Sequence, residues 1–239
     1  MLEDLALQPL DTGTALSLWE RADDLSQPRR ALALLAAASA RTEEELARMP
    51  LGRRDAALLR VHALTFGAAL ECVATCAGCG AELELELELD ALLATSADAP
   101  ARPATEVVIG GERRALRAVT TEDLERALAS ADPRACLAAR CAGCDPADLH
   151  GELLDEIEEL LAELDPLADV RIALACDGCG AQTALPFDAG GTLWSEAAAS
   201  AQRLLQDVHA LASAYHWSEA DILALSPARR GYYLECLAG

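Results

Sequence analysis

Hydrophobic and polar residues alternate strictly from Glu82 to Leu89, with Leu83, Leu85, Leu87 and Leu89 on one side and Glu82, Glu84, Glu86 and Glu88 on the other. A period of two is the mark of a half-buried strand. Residues 69–76 ahead of it read as a partner strand, and the CAGCG between them closes a hairpin. The order strand, CxxCG turn, strand recurs in DVRIALACDGCGAQTALPFD, residues 169–188. Cys76, Cys79, Gly80 and Ala81 match Cys176, Cys179, Gly180 and Ala181 at an offset of one hundred, and Leu85 and Leu87 match Leu185 and Phe187. In form this is an internal duplication.

Elsewhere the period is helical. Between Thr14 and Gly67, Ala31, Leu32, Leu34 and Leu35 recur at helix spacing, TEEE from Thr42 is a capping box ahead of Leu46, and a third helix runs through DAALLRVHAL. Residues 91–104, ALLATSADAPARPA, are small, polar and proline-bearing and read as a linker. EVVIGGERRALRAV reads as a short hairpin about Gly110 and Gly111, and Thr120 or Thr121 caps a helix through Ala129. PRACLAARC and PADLHGELLDEIEELLAEL read as two further helices, ended by Asp165 and Pro166. After the second CxxCG hairpin come a long amphipathic helix through Tyr215, a short one capped by Ser218, and a last one from Ser226 and Pro227 to Leu237.

These elements predict an α+β fold, mostly helical: a split zinc ribbon of two β-hairpins with an inserted α/β block, flanked by N- and C-terminal helical modules. The segments are 1–68 (helical), 69–104 (first knuckle hairpin), 105–166 (inserted hairpin and helices), 167–190 (second knuckle hairpin) and 191–239 (helical).

Composition narrows the function. The longest near-apolar run, Ala31 to Ala40, is half the ~20 residues that span a bilayer, so no membrane insertion is expected. The acidic start MLEDLALQPLD lacks the order of a signal peptide, so a cytoplasmic location is expected. With 19 basic against 40 acidic residues the formal charge is −21, a field that repels phosphate backbones and argues against a nucleic-acid partner. The sequence has no Lys and no Asn, which excludes a P-loop, a Schiff-base lysine and a Ser-Lys pair.

The nine cysteines carry the most specific chemistry. Two CxxC turns supply four thiolates, Cys76, Cys79, Cys176 and Cys179, enough to surround one zinc tetrahedrally. Contiguous ribbons separate their knuckles by about 15–20 residues, whereas 96 residues lie between Cys79 and Cys176. An inserted folded block with close termini accounts for the gap. With every position filled by protein, the zinc is expected to be structural, and the chain is expected to have no catalytic and no cofactor-binding residues. A redox CxxC sits at a helix N-terminus, and these sit between strands. Two turns with unrelated buried thiols are the bland reading, which the repeated CGA disfavours.

Cys141 and Cys144 lack the trailing Gly and a second pair and read as incidental; Cys136, Cys72 and Cys236 read as small core residues. His62 and His209 read as packed or surface histidines, and the carboxylates of EIEELLAEL as a wet helix face. Of the eight aromatics, Trp194, Tyr215, Trp217, Tyr232 and Tyr233 fall near the C-terminus, either as a local bundle core or as a docking surface.

Two stretches carry a family resemblance. DVHALASAYHWSEADILALSPARRGYYLE resembles the terminal signature of the T-even phage baseplate protein family, found in phage tails and phage-like contractile injection systems. LGRRDAALLRVHALTFGAALECVATCAGCG resembles that family's other recurring segment, a helix running into the first knuckle. The resemblance implies a non-enzymatic structural or assembly component of a baseplate, in the bacterial cytoplasm, with other baseplate, spike or tube proteins as partners. It implies a structural zinc on Cys76, Cys79, Cys176 and Cys179, and leaves Cys141 and Cys144 out. The alternative is a zinc-ribbon adaptor of transcription or another nucleic-acid machinery, which should surround its knuckles with basic residues; Glu71 and the Glu row surround the first. A zinc hydrolase would need an open coordination position and a general base.

Overall fold

Side-chain caps start two of the N-terminal helices, one of them at the Thr42 box read from the sequence. In the computed structural model, which describes residues 2–21, 24–97 and 105–238, Asp11 accepts from the Thr14 N–H to open α1 (Thr12–Glu20). Pro28 sits in the first turn of α2 (Gln27–Ala37), where a missing N–H costs nothing. Thr42 and Glu45 exchange bonds in a full capping box at α3 (Glu43–Ala47). The longer α4 (Leu51–Thr65) follows and ends before Gly67, whose φ of 111° turns the chain into β1 (Ala69–Thr75).

β1 pairs antiparallel with β2 (Glu82–Glu88). The next element corrects the linker reading: residues 89–97 form α5 (Leu89–Ala97). Leu89 is fully buried, and Leu92 and Leu93 press against the same core, so apolar spacing of three and four residues decides the segment over its small, polar composition. The remainder of that stretch, 98–104, lies outside the described residues.

The insert holds β3 (Glu106–Ile109) and β4 (Glu112–Ala115), turned about Gly110 and Gly111, both at positive φ. Then come α6 (Thr121–Leu128), boxed by Thr120 and Asp123, α7 (Pro133–Ala142) and α8 (Glu152–Leu164). PADLHG does not continue α8 backwards. Pro146–Asp148 is a single 3-10 turn, and Gly151 at φ 57° marks the start of the helix. β5 (Arg171–Ala175) and β6 (Gln182–Pro186) make the second knuckle hairpin. α9 (Ala189–Tyr215), α10 (Glu219–Leu223) and α11 (Pro227–Ala238) complete the chain. The architecture is a mostly helical α+β fold in which an α/β insert splits two CxxC hairpins and helices flank both.

One core gathers α1 to α4, Leu70, Leu89 and the start of α9 through Ala189, Leu193 and Ala197. A second lies inside the insert around Val107, Ile109, Ala138, Leu154 and Ile157. The insert does not project freely, because Leu51, Val119 and Cys141 pack at the seam and the Leu51 N–H donates to the Val119 carbonyl at 2.8 Å.

Polar groups bind the seam as well. Buried Arg54 donates to Asp55 at 2.7 Å and to the fully buried Thr121 hydroxyl at 2.9 Å. Asp123, 1% exposed, accepts from Arg117, Arg140 and the Thr120 cap. Burial opposes its charge, yet Arg117 and Thr120 together hold its carboxyl well below the usual range. Asp55 goes the other way, pushed up to about 6 by burial and by Asp188 and Asp165 despite Arg54.

Candidate metal centre

Each knuckle is a turn whose backbone is fixed before any ion is considered. The Cys76 N–H donates to the Ala81 carbonyl at 2.8 Å and the Gly80 N–H to the Cys76 carbonyl at 2.9 Å; one hundred residues on, the same bonds measure 2.9 and 2.7 Å. Gly80 and Gly180 have φ of 76° and 73°, a conformation that L side chains resist, which is why Gly follows the second cysteine in both.

The two turns face each other, and their sulfurs interleave. Cys76 Sγ lies 3.7 Å from Cys179 Sγ, and Cys79 Sγ lies 3.7 Å from Cys176 Sγ. All four sulfurs fall within 4.8 Å of one another. A regular tetrahedron with metal–sulfur bonds of ~2.3 Å has edges of about 3.8 Å, so the cage has the dimensions of a tetrathiolate metal site. These spacings are far beyond a covalent S–S bond of about 2.05 Å, and all nine cysteines are free.

Burial and charge suit the same assignment. Cys76 and Cys176 are buried while Cys79 and Cys179 face outward, so the inner pair anchors the cage to the fold and the outer pair closes it. The Cys79 and Gly78 backbone N–H groups draw the Cys76 thiol down to about 6, favouring a thiolate. The Ala181 N–H acts in that sense on Cys179, but the crowding sulfurs of Cys79, Cys76 and Cys176 outweigh it and push the thiol up to about 12. Four sulfurs this close cannot all carry charge without a cation among them.

Of the nine cysteines the cluster takes the four matched by the duplication and no others among the described residues. Cys141 is buried at the seam, its thiol pushed up to about 11 by burial, and half-buried Cys144 is raised by the same cause. Cys72 packs against the main core as expected, but Cys236 is exposed on α11 and not a core residue. His62 is buried, with Nδ1 3.1 Å from the Gly67 carbonyl and Nε2 3.1 Å from the Glu196 carboxylate. Two of the buried polar pairings, Arg54 to Thr121 and Arg140 to Asp123, carried no sequence signal, since the partners lie 67 and 17 residues apart.

The hairpins that carry the turns are not paired strand to strand; each is its own two-stranded sheet. Leu70, Cys72 and Ala74 stand opposite Leu87, Leu85 and Leu83 on a half-buried face, and Glu71 and Val73 stand opposite Glu86 and Glu84 on an exposed one. The aromatics divide between two places. Trp194 packs on the main core under the Arg30 guanidinium, whereas Tyr215, Trp217 and Tyr233 stack around Val208, Leu211 and Ile222 at the far end of α9.

No helix among the described residues is long and apolar enough to cross a membrane. Compared with known protein families, with characterised proteins and with solved structures, the chain gives no match to any of them.

Proposed function

We propose that this chain is a non-enzymatic structural or assembly component of the baseplate of a phage-like contractile injection system or phage tail, built around one structural zinc. The observation that carries the structural part is the closed cage of Cys76, Cys79, Cys176 and Cys179. A soft tetrathiolate set in tetrahedral array favours zinc. Four protein ligands leave no place for water or substrate, so the ion's work is to hold two distant hairpins together.

The baseplate part rests on the two sequence segments with family resemblance. The first forms α4, the Gly67 turn, β1 and the first knuckle; the second forms the end of α9 with α10 and α11. A strongly acidic surface suits a protein that assembles with others by complementary charge. Purification of the tagged protein from its native host, with mass spectrometry of what travels with it, tests this reading. Recovery of spike, tube or other baseplate proteins supports it. Recovery of RNA polymerase subunits or nucleic acid instead would favour a zinc-ribbon adaptor.

A further inference from the structure

We propose that the free edge of β2 is a docking site for an extended peptide segment of a partner protein, in which basic and apolar residues alternate. The phase of the hairpin identifies the edge. The Cys76 N–H bonds to Ala81, so Ala81, Leu83, Leu85 and Leu87 spend their backbone groups on β1. The N–H and C=O groups of Glu82, Glu84 and Glu86 therefore point away, and among the described residues β2 has no second strand neighbour. Over Ala81–Glu84 this edge faces Leu174–Gly178 across a cleft of 240 Å³.

The side chains specify what would pair there. Strand addition uses main-chain bonds for affinity and alternate side chains for selectivity. A strand laid along β2 sets every second residue beside the Glu row and the others beside half-buried Leu83 and Leu85. Directly opposite and diagonal neighbours interact across strands, favourably for unlike charges. Complementarity to ELELELE is thus cationic, apolar, cationic, apolar.

Among the described residues nothing meets that charge. Among the described residues Glu71, Glu82, Glu84, Glu86 and Glu88 have no cationic partner, and Glu71 stands directly opposite Glu86, a like-charge pairing that weakens the hairpin. Val73, 67% exposed, lies among them.

The second hairpin serves as an internal control. It builds the same turn with Gln182, Ala184 and Pro186 where the first has Glu82, Glu84 and Glu86, so the acidic row is not needed to form a knuckle. Pro186 also deletes the outward N–H from the β6 edge, a device that blocks strand addition. One edge is closed and neutral; its counterpart is open and acidic. A second copy of the chain is not the occupant, since apposing two Glu rows would multiply the repulsion.

The test uses the whole metal-loaded protein and a fluorescein-labelled peptide of alternating arginine and valine, with a control of the same composition in which all arginines precede all valines. We expect the alternating peptide to bind roughly tenfold tighter than the block control by anisotropy, to weaken with salt, and to shift the backbone amide resonances of Glu82, Glu84 and Glu86. The variant E82Q/E84A/E86P, which copies the sister strand, should lose this preference while keeping its metal; if it loses metal, E82Q/E84Q/E86Q gives the charge dependence on an unaltered backbone and should weaken binding by a similar factor. Equal binding of the two peptides would reduce the effect to diffuse charge and overturn the proposal. Undiminished binding by the variants would overturn it too, as would a dimer through β2 in sedimentation velocity.

Discussion

The backbone N–H of Gly52 donates to the Asp165 carboxylate at 2.8 Å, joining the first turn of α4 to the end of the insert across 113 residues. The approach is possible only because residue 52 lacks a side chain: a Cβ there would lie 1.9 Å from Asp165 Oδ1 and 3.0 Å from the Leu167 Cβ. Burial of Asp165 raises its carboxyl, and the Gly52 N–H opposes that rise.

Gly52→Ala is therefore expected to push the insert off α4 and to cost about 1–3 kcal/mol in chemical denaturation. Gly13→Ala has only a 3.3 Å contact, with a flexible Asp11 oxygen, to relieve, and should change stability much less. Equal effects of the two substitutions would remove the close packing at residue 52 as the cause.

Metal analysis of the purified protein should give about one zinc per chain under tetrathiolate geometry. Cys176→Ser should abolish it and Cys79→Ser should weaken it strongly, while Cys144→Ser, outside the cluster, should leave it unchanged. Full zinc in Cys176→Ser would sink the assignment of the site.

Two carboxyls of the seam should shape acid stability in opposite senses. Asp123 is depressed, so its contribution is fully present above the unfolded value near 3.9 and is lost as pH falls through its lower folded value. Asp55, at about 6 when folded, destabilises most above that pH, and the penalty disappears as pH drops to about 4. Thermal unfolding of Asp55→Asn, taken as a difference from the parent at each pH to cancel thiol titration, should show its largest relative gain near pH 7. Asp123→Asn should cost about 2–3 kcal/mol at pH 7, discounted for the part-exposed Arg117 and Arg140, and progressively less at low pH. A pH-independent difference for either variant would contradict the assigned shift.

A chain ending after Tyr215 should keep its zinc and its main core, because α10 and α11 pack on the end of α9 and Trp217 and Tyr233 belong to the cluster there. A cut at residue 191 would strip Leu193 and Ala197 from the main core and should unfold it. If the aromatic end is partner-facing, the shorter truncation folds, binds zinc and no longer enters sheathed particles. Loss of zinc in that truncation would show instead that the aromatic cluster supports the core.

What could be read in advance was what repeats or alternates. The knuckles, their offset and the Leu and Glu faces of β2 are periodic features, and the caps at Thr42 and Thr120 are local ones, so short-range chemistry was enough to place them. α5 does not stand out in the sequence because Ala, Thr and Ser serve in helices and linkers alike, and burial of Leu89, Leu92 and Leu93 decides the matter only in three dimensions. Arg54 looked no different from Arg53 in the same segment, yet the first is buried against Thr121 and the second pairs with Asp4 at the surface. Those distinctions depend on where the insert lands, and no local pattern encodes that.

The separation of the two knuckles has a consequence in time. A ribosome adding about 5–20 residues per second exposes Cys76 and Cys79 some 5–20 seconds before Cys176 and Cys179 emerge. During that interval the first pair can hold an ion only by halves, and the insert has room to fold by itself. The four-thiolate cage can therefore close on an ion only after the chain has been made past Cys179 and the insert has brought its ends together, an order set by synthesis.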